Sequence, residues 1–218
     1  MALAIFDLDH TLLRGDSDYE WGQFLVDQKL VDADVYKERN DYFYAQYQAG
    51  TLDIQEFLAF ALRPLTLHPL DTMLAARDKF LKERILPLIS HKTRELIAKH
   101  KAQGDTLLII TATNGFITYP IADLLNIKHI IAPHPEFVHG HYTGKVVGVP
   151  SFHAGKVVRL NEWLEQHQQD LNGSYFYSDS HNDLPLLEKV DHPITVEPDE
   201  KLTAIAQQRH WPIISLRD

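Results

Sequence analysis

The chain has 218 residues, a formal net charge of −9 and no cysteine. With 44% hydrophobic and 23% charged residues it has the make-up of a folded globular protein, either one large domain or one domain with an insertion. A disulfide scaffold, a thiol nucleophile and a cysteine-based zinc site are excluded, and the acidic balance argues against a broad electrostatic grip on nucleic acid or anionic lipid.

No apolar run approaches the ~20 residues of a membrane span, so no membrane partner is expected. Met1–Leu8 runs directly into an apolar stretch with no basic segment ahead of it, which argues against a signal peptide. The cytoplasm is the expected location. The 13 histidines are read as scattered surface residues.

Leu3–Leu8 (LAIFDL) is short and apolar and reads as a buried strand. From Ser17 to His100 the pattern becomes helical, over Tyr19–Leu30, Ala33–Ala49, Ile54–Leu62, Leu70–Ile85 and Lys92–Gln103. Arg63-Pro64 and His68-Pro69 punctuate it, and the aromatic run Phe43, Tyr44, Tyr47 reads as packing. Asp105–Ile110 is a second buried strand, ending at Thr111. A helix over Ile117–Leu125, a strand over Lys128–Ala132, a hairpin over Phe137–Val147 and a helix over His153–His167 follow. A strand over Ser174–Tyr177, a short helix over Leu184–Lys189, a strand over Ile194–Val196, a helix over Lys201–Arg209 and a strand over Ile213–Ser215 complete the chain.

Strands alternating with helices predict an α/β fold, a Rossmann-like doubly wound, mostly parallel sheet covered on both faces. Residues 14–89 contain no strand pattern and are expected to form an all-helical cap inserted after the first strand. Residues 1–13 and 90–218 are expected to form the core. Ligands of such sheets sit beyond the carboxyl ends of the strands, where Asp7, Asp9, Thr111 and Asp179 should converge.

Asp7 and Asp9 stand two residues apart just past a strand, so an extended chain turns both side chains the same way. Two close carboxylates disfavour each other's ionisation, and a divalent cation relieves the cost. Hard oxygen ligands with retained waters suit Mg²⁺. One carboxylate can then attack phosphorus while the other moves protons. The competing reading is a turn whose aspartates satisfy backbone N–H groups.

Asp179 and Asp183 lie in YSDSHNDLPLL, with Asn182 placed to orient metal-bound water; the spacing does not fit an EF-hand. Asp183 also reads as a helix-start carboxylate. Thr111, followed by ATN, offers a hydroxyl and backbone N–H groups to phosphate. Lys156 sits at a helix start, where a cation opposes the helix dipole, a misfit that suggests a task such as neutralising phosphate.

Taken in chain order, DLDHT, the strand ending at Thr111, Lys156 and DSHND resemble the four motifs of the haloacid dehalogenase superfamily of aspartate-nucleophile phosphatases. The DLPLL continuation and the helical insertion are similar to its phosphoserine-phosphatase-like branch. Nearly the whole length, notably YSDSHNDLPLLEKVDHPITVEPD, resembles a bacterial subgroup that includes histidinol-phosphate phosphatases.

The resemblance implies a two-step hydrolysis of a small phosphorylated metabolite. Asp7 attacks phosphorus to form an aspartyl-phosphate, and Asp9 protonates the leaving alcohol and then activates water. Thr111, with Asn114 as helper, and Lys156 bind the phosphate. Mg²⁺ is held by Asp7, the Asp9 main-chain carbonyl and Asp179, with Asp183 nearby. Ser178 stands where the family more often has glycine, and Thr111 where phosphoserine phosphatases commonly have serine.

Asp16, Asp18 and Glu20 open the cap in RGDSDYEW. They serve either as substrate-facing acids for an ammonium or imidazolium, or as the cap and first turn of a helix. Arg63 either answers a substrate carboxylate or is a solvated surface residue. Histidinol phosphate, an amino-alcohol ester of histidine biosynthesis without a carboxylate, suits an acidic entrance and is the expected substrate. Phosphoserine and broader small phosphomonoesters are the alternatives. A phosphotransferase is a weaker reading, and a receiver-type phospho-aspartate switch is disfavoured by Asp9 and by the helical insertion.

Overall fold

The structure, a computed structural model, describes residues 2–218. Its first strand, β1 (Leu3–Phe6), is four apolar residues with every side chain buried. A strand apolar on both faces belongs in the middle of a sheet covered by helices on both sides. After a wide turn over Leu8–Leu12 come five helices, α1 (Ser17–Asp27), α2 (Ala33–Ala49), α3 (Ile54–Leu62), α4 (Pro64–Leu67) and α5 (Leu70–Phe80). The chain continues through α6 (His91–Ala102), β2 (Thr106–Ile110), α7 (Gly115–Leu124), β3 (His129–Ile131), β4 (His134–Val138), β5 (His141–Val147) and α8 (Ala154–His167). It ends with β6 (Tyr175–Ser178), α9 (Leu184–Leu187), β7 (His192–Val196), α10 (Glu200–Arg209) and β8 (Ile213–Ile214).

Six strands form a parallel sheet in the order β3-β2-β1-β6-β7-β8, while β4 and β5 form an antiparallel hairpin. The chain winds outward from β1 to β3, then returns to the other side of β1 and winds out to β8. That reversal opens a crevice at the carboxyl ends of β1, β2 and β6.

Period-two alternation sorts the core. Leu3, Ile5, Leu108, Ile110 and Phe176 face Leu160, Trp163, Leu186 and Leu202 of α8, α9 and α10. Ala4, Phe6, Leu107, Ile109 and Tyr177 join the opposite cluster, which runs through Ile97 and Ile121 into Trp21, Phe24 and Phe80. The aromatic contacts among Trp21, Phe24, Phe80 and Phe116 therefore extend the sheet's apolar layer into α1 and α5. No helix among the described residues is long and apolar enough to cross a membrane.

Local chemistry sets the element ends. Asp16, Asp32, Asp53 and Ser90 accept backbone N–H bonds at the starts of α1, α2, α3 and α6. Pro64 does more than punctuate the chain: it opens α4, because proline suits the first helical turn. The expected helix over Leu70–Ile85 is shorter: α5 ends at Phe80 and widens into a looser turn over Leu81–Ile85. The hairpin begins three residues earlier than the pattern suggested, since β4 carries Pro135, which a hairpin edge tolerates. Its turn is built on His139 (φ 51°) and Gly140 (φ 85°), the two left-handed residues that a tight antiparallel reversal requires.

Candidate active site

Asp7 directly follows β1, and its N–H donates to the Tyr177 carbonyl at 2.9 Å, continuing the parallel ladder. Asp7 and Asp9 both keep extended backbone (ψ 162° and 136°) before the chain turns at His10, whose φ is 56°. Both aspartates line one cleft, which encloses about 640 Å³ with its open mouth included. Thr111, Lys156, Asn182 and Asp183 line the same cleft.

Lys156 is the cleft's anchor. Gly155 precedes it, and a β-carbon there would lie 2.1 Å from the Pro150 carbonyl oxygen, so only glycine lets the turn close and start α8 at this point. The Lys156 ammonium, 3% exposed, donates to Asp7 Oδ1 at 2.7 Å and to Asp183 Oδ2 at 2.8 Å. Ser178 adds a hydroxyl donor to Asp183 Oδ2 at 2.7 Å. Asp183 thus holds the lysine, and its flanking Asn182 donates to the Tyr47 carbonyl at the end of α2.

Burial pushes the Asp7 carboxyl up to about 7, against the pull of Lys156, with the Asp183 and Asp9 charges adding to the rise. Burial lowers the Lys156 ammonium, but Asp183 and Asp7 outweigh it, so the lysine is held charged. Asp179 is driven well above the usual carboxylate range by burial and by Asp7 and Asp183. Its Oδ1 accepts from the Thr11 hydroxyl at 3.1 Å, and no lysine or arginine pairs with it among the described residues. Asp179 opens on an adjoining hollow that shares the Tyr44 and Tyr47 walls with the first.

Among the described residues no three histidine or acidic side chains are gathered closely enough to bind a metal by themselves. Asp7 and Asp179 offer two buried carboxylates with a deficit of positive charge, which matches the one or two carboxylates, completed by water and phosphate, that Mg²⁺ takes. The donor set therefore fits this ion.

Asp9 is gripped at both oxygens, by the Ser17 N–H at 2.6 Å and by the Thr113 hydroxyl at 2.8 Å. Thr113 was not singled out in the sequence, although it repeats at Thr111 + 2 the spacing that drew attention to Asp7 and Asp9. Ser151 fixes Thr111 by donating to its carbonyl at 2.6 Å.

The acids at the start of α1 divide. Asp16 caps the helix, accepting from Asp18 N and Tyr19 N, and lines the cleft as well, so its two readings coexist. Burial, with the Asp9 charge, pushes its carboxyl up to about 6. Asp18 faces the cleft, driven well above the ordinary range by burial and then by Asp16 and Asp9. Asn114 is buried, capping α7 and donating to Asp18 at 3.4 Å, so it supports that acid rather than facing the cleft.

Glu20 and Arg63 are not brought to the cleft. Glu20 pairs with Arg84 at 3.3 Å, and Arg63 is exposed where α3 meets α4. The aromatic run also needs correction: Phe43 packs on Phe57 and Phe60, yet it walls the cleft as well, together with Tyr44, Tyr47 and Phe152. The histidines are not all superficial. His100 is 1% exposed, bridging Asp105 at 2.9 Å and the Tyr177 hydroxyl at 2.8 Å.

Residues 4–188 match the family of haloacid dehalogenase-like hydrolases. The chain is 42% identical to a histidinol-phosphatase of Neisseria meningitidis, over 99% of both chains. It is 28% identical to the phosphoserine phosphatase SerB1 of Mycobacterium tuberculosis, over 99% of this chain and 71% of that one. Among solved structures, a Bordetella pertussis protein of unknown function superposes with a TM-score of 0.92 at 42% identity, covering 99% of this chain and 98% of the other. A substrate-bound phosphoserine phosphatase shares the fold with a TM-score of 0.74 at 18% identity, covering 100% of this chain and 94% of that one.

Proposed function

This chain belongs to the haloacid dehalogenase-like hydrolases and is a phosphatase, and from that premise we propose that it hydrolyses histidinol phosphate through an aspartyl-phosphate on Asp7. The observation that carries the chemistry is the buried Asp7 at the end of the central strand, one oxygen clasped by the buried Lys156. That clasp aims the nucleophile and neutralises charge as phosphate approaches, so positioning and electrostatics carry most of the rate.

Asp7 attacks phosphorus as the ester oxygen departs. Asp9 gives that oxygen a proton and later takes one from the attacking water. Thr111 and Lys156 bind the phosphate oxygens. Asp7, Asp179 and the Asp9 carbonyl would hold Mg²⁺, which would add to the neutralisation of the phosphate. Residues 14–89 act as a cap that sets specificity, and the cytoplasm is the proposed setting.

The choice of substrate rests on the charges in the cleft. Its lining holds Asp7, Asp9, Asp16, Asp18 and Asp183 but one cation, Lys156, already committed to Asp7 and Asp183. A phosphoserine carboxylate would find no arginine there. An ammonium and imidazole would find Asp16, Asp18 and the tyrosine walls. The relative named histidinol-phosphatase supports the same choice.

The test is phosphate release from a panel containing histidinol phosphate, phosphoserine, sugar phosphates and nucleotides, with Mg²⁺. Histidinol phosphate should lead in kcat/KM by about tenfold or more, the margin that ~1.4 kcal/mol of differential binding gives. A lead for phosphoserine would overturn the substrate assignment. Asp7→Asn should abolish turnover with an unchanged melting curve, and full activity in that variant would remove the nucleophile.

A further inference from the structure

We propose that Thr113 decides which oxygen of Asp9 carries the transferable proton, and that it steadies the carboxylate left behind when the proton is delivered. The inference rests on the acid–base role given above to Asp9 and adds a positioning residue to it.

The two donors on Asp9 are not equivalent. Oδ1 accepts from the Ser17 backbone N–H at 2.6 Å, and Oδ2 from the Thr113 hydroxyl at 2.8 Å. An amide N–H can only donate, so a proton placed on Oδ1 weakens that bond with no remedy. A hydroxyl donates or accepts, so a proton on Oδ2 is answered by rotation of the Thr113 hydroxyl.

Thr113 is held for this task. It is 6% exposed, and its N–H donates to Thr111 Oγ1 at 3.1 Å. The loop after β2 therefore carries a phosphate-binding hydroxyl and a carboxyl-facing hydroxyl two residues apart, as the loop after β1 carries Asp7 and Asp9.

The bond from an Asp7 oxygen to phosphorus forms while the bond from phosphorus to the leaving oxygen breaks, its electron pair staying on that oxygen. The Oδ2–H turns from the Thr113 hydroxyl to the leaving oxygen, which takes the proton and departs as the alcohol. The Thr113 hydroxyl turns to donate to the new carboxylate, a hydrogen bond stronger to the anion than to the acid and so worth most as the proton leaves. In the second half-reaction the same rotation runs in reverse.

The experiment compares two leaving groups. An alkyl monoester, histidinol phosphate, needs a proton on its departing oxygen, whereas p-nitrophenyl phosphate releases a stable phenolate. The kcat/KM value reports the steps through release of the first product. Thr113→Val should lower it for the alkyl ester at least about tenfold more than for the aryl ester, a part of the ~10²–10⁴ that general acid catalysis supplies.

Thr113→Ser should restore most of the alkyl rate, and Thr113→Ala serves if the valine does not fold, as judged by melting. Equal effects on both substrates, or no rescue by serine, would overturn the proposal. Asp9→Asn separates two kinds of failure. If it spares the alkyl ester, the acid–base reading of Asp9 falls and the proposal with it. If it collapses the alkyl rate while Thr113→Val moves both substrates together, the role of Asp9 stands and Thr113 alone loses its part.

Discussion

Lys156 and Asp183 form a buried ion pair at 2.7 Å, each side chain 3% exposed, and the same ammonium reaches Asp7 at 2.7 Å. One cation thus serves two carboxylates, one at the end of β1 and one at the start of α9. Removing it leaves two charges stranded away from water. Lys156→Met should therefore cost about 3–5 kcal/mol of folding stability, the range for breaking a buried pair from one side. Turnover should fall at least about a hundredfold, as for removing one preorganised donor at a reacting oxyanion. Urea denaturation and phosphate release measure the two effects, and a stability change under ~1 kcal/mol would mean the carboxylates are not dependent on this lysine.

Asp7 and Asp179 repel each other in a buried setting, and burial and that repulsion drive Asp179 well above the usual carboxylate range. A cation that binds only the folded protein stabilises it by mass action, ~2.7 kcal/mol at a hundred times its Kd. Mg²⁺ should therefore raise the melting temperature of the resting protein, and EDTA should abolish turnover until Mg²⁺ is restored. Asp179→Asn should melt at one temperature with or without Mg²⁺. An equal Mg²⁺-induced shift in that variant would place the ion elsewhere.

The fold was legible because its signals are local. Leu3–Phe6 and Thr106–Ile110 are buried on both faces, and a short apolar run says as much without any partner being known. Asp7, Asp9 and Thr111 were legible for the same reason, each standing at or just past the end of such a run. What the sequence hid depends on partners far along the chain. Thr11 meets Asp179 across 168 positions, and Thr113 meets Asp9 across 104. Tyr44 and Tyr47 looked like core because helical spacing names a face but not what lies opposite it. Glu20 belongs to the helix that carries Asp18, but its partner Arg84 draws it away from the cleft.

Asp105 makes a stability prediction outside the cleft. Burial raises its carboxyl, but hydrogen bonds from His100 and the Ala2 N–H more than offset this, so it lies below the usual range. A depressed carboxyl contributes stability above the unfolded-state value of ~3.9 and loses it as pH falls through the lower folded value. Asp105→Asn should lower stability by about 1.5–3 kcal/mol at pH 7, the range for hydrogen bonds to a charged group. The gap between wild type and variant should narrow below pH ~4, where the wild-type carboxylate itself takes a proton. Chemical denaturation at pH 7 and pH 3 measures it, and a gap that widens on acidification would contradict the sign.

The proposed preference of the cleft for a cationic substrate can be tested at Asp18. This residue is 8% exposed, its hydrogen bond comes from the neutral Asn114, and burial with Asp16 and Asp9 opposes its ionisation. A substrate cation beside it relieves that opposition, so binding and charge are mutually reinforcing. Asp18→Asn keeps the shape and the Asn114 contact while deleting the charge. It should raise KM for histidinol phosphate about tenfold or more, consistent with the ~1.5–3 kcal/mol of a charged hydrogen bond, with a smaller effect on kcat. For an alkyl phosphate of similar size without nitrogen, KM should stay within about twofold of wild type, since no cation is there to lose its partner. An equal rise in KM for both esters would mean that Asp18 shapes the cleft without reading the charge of what enters it.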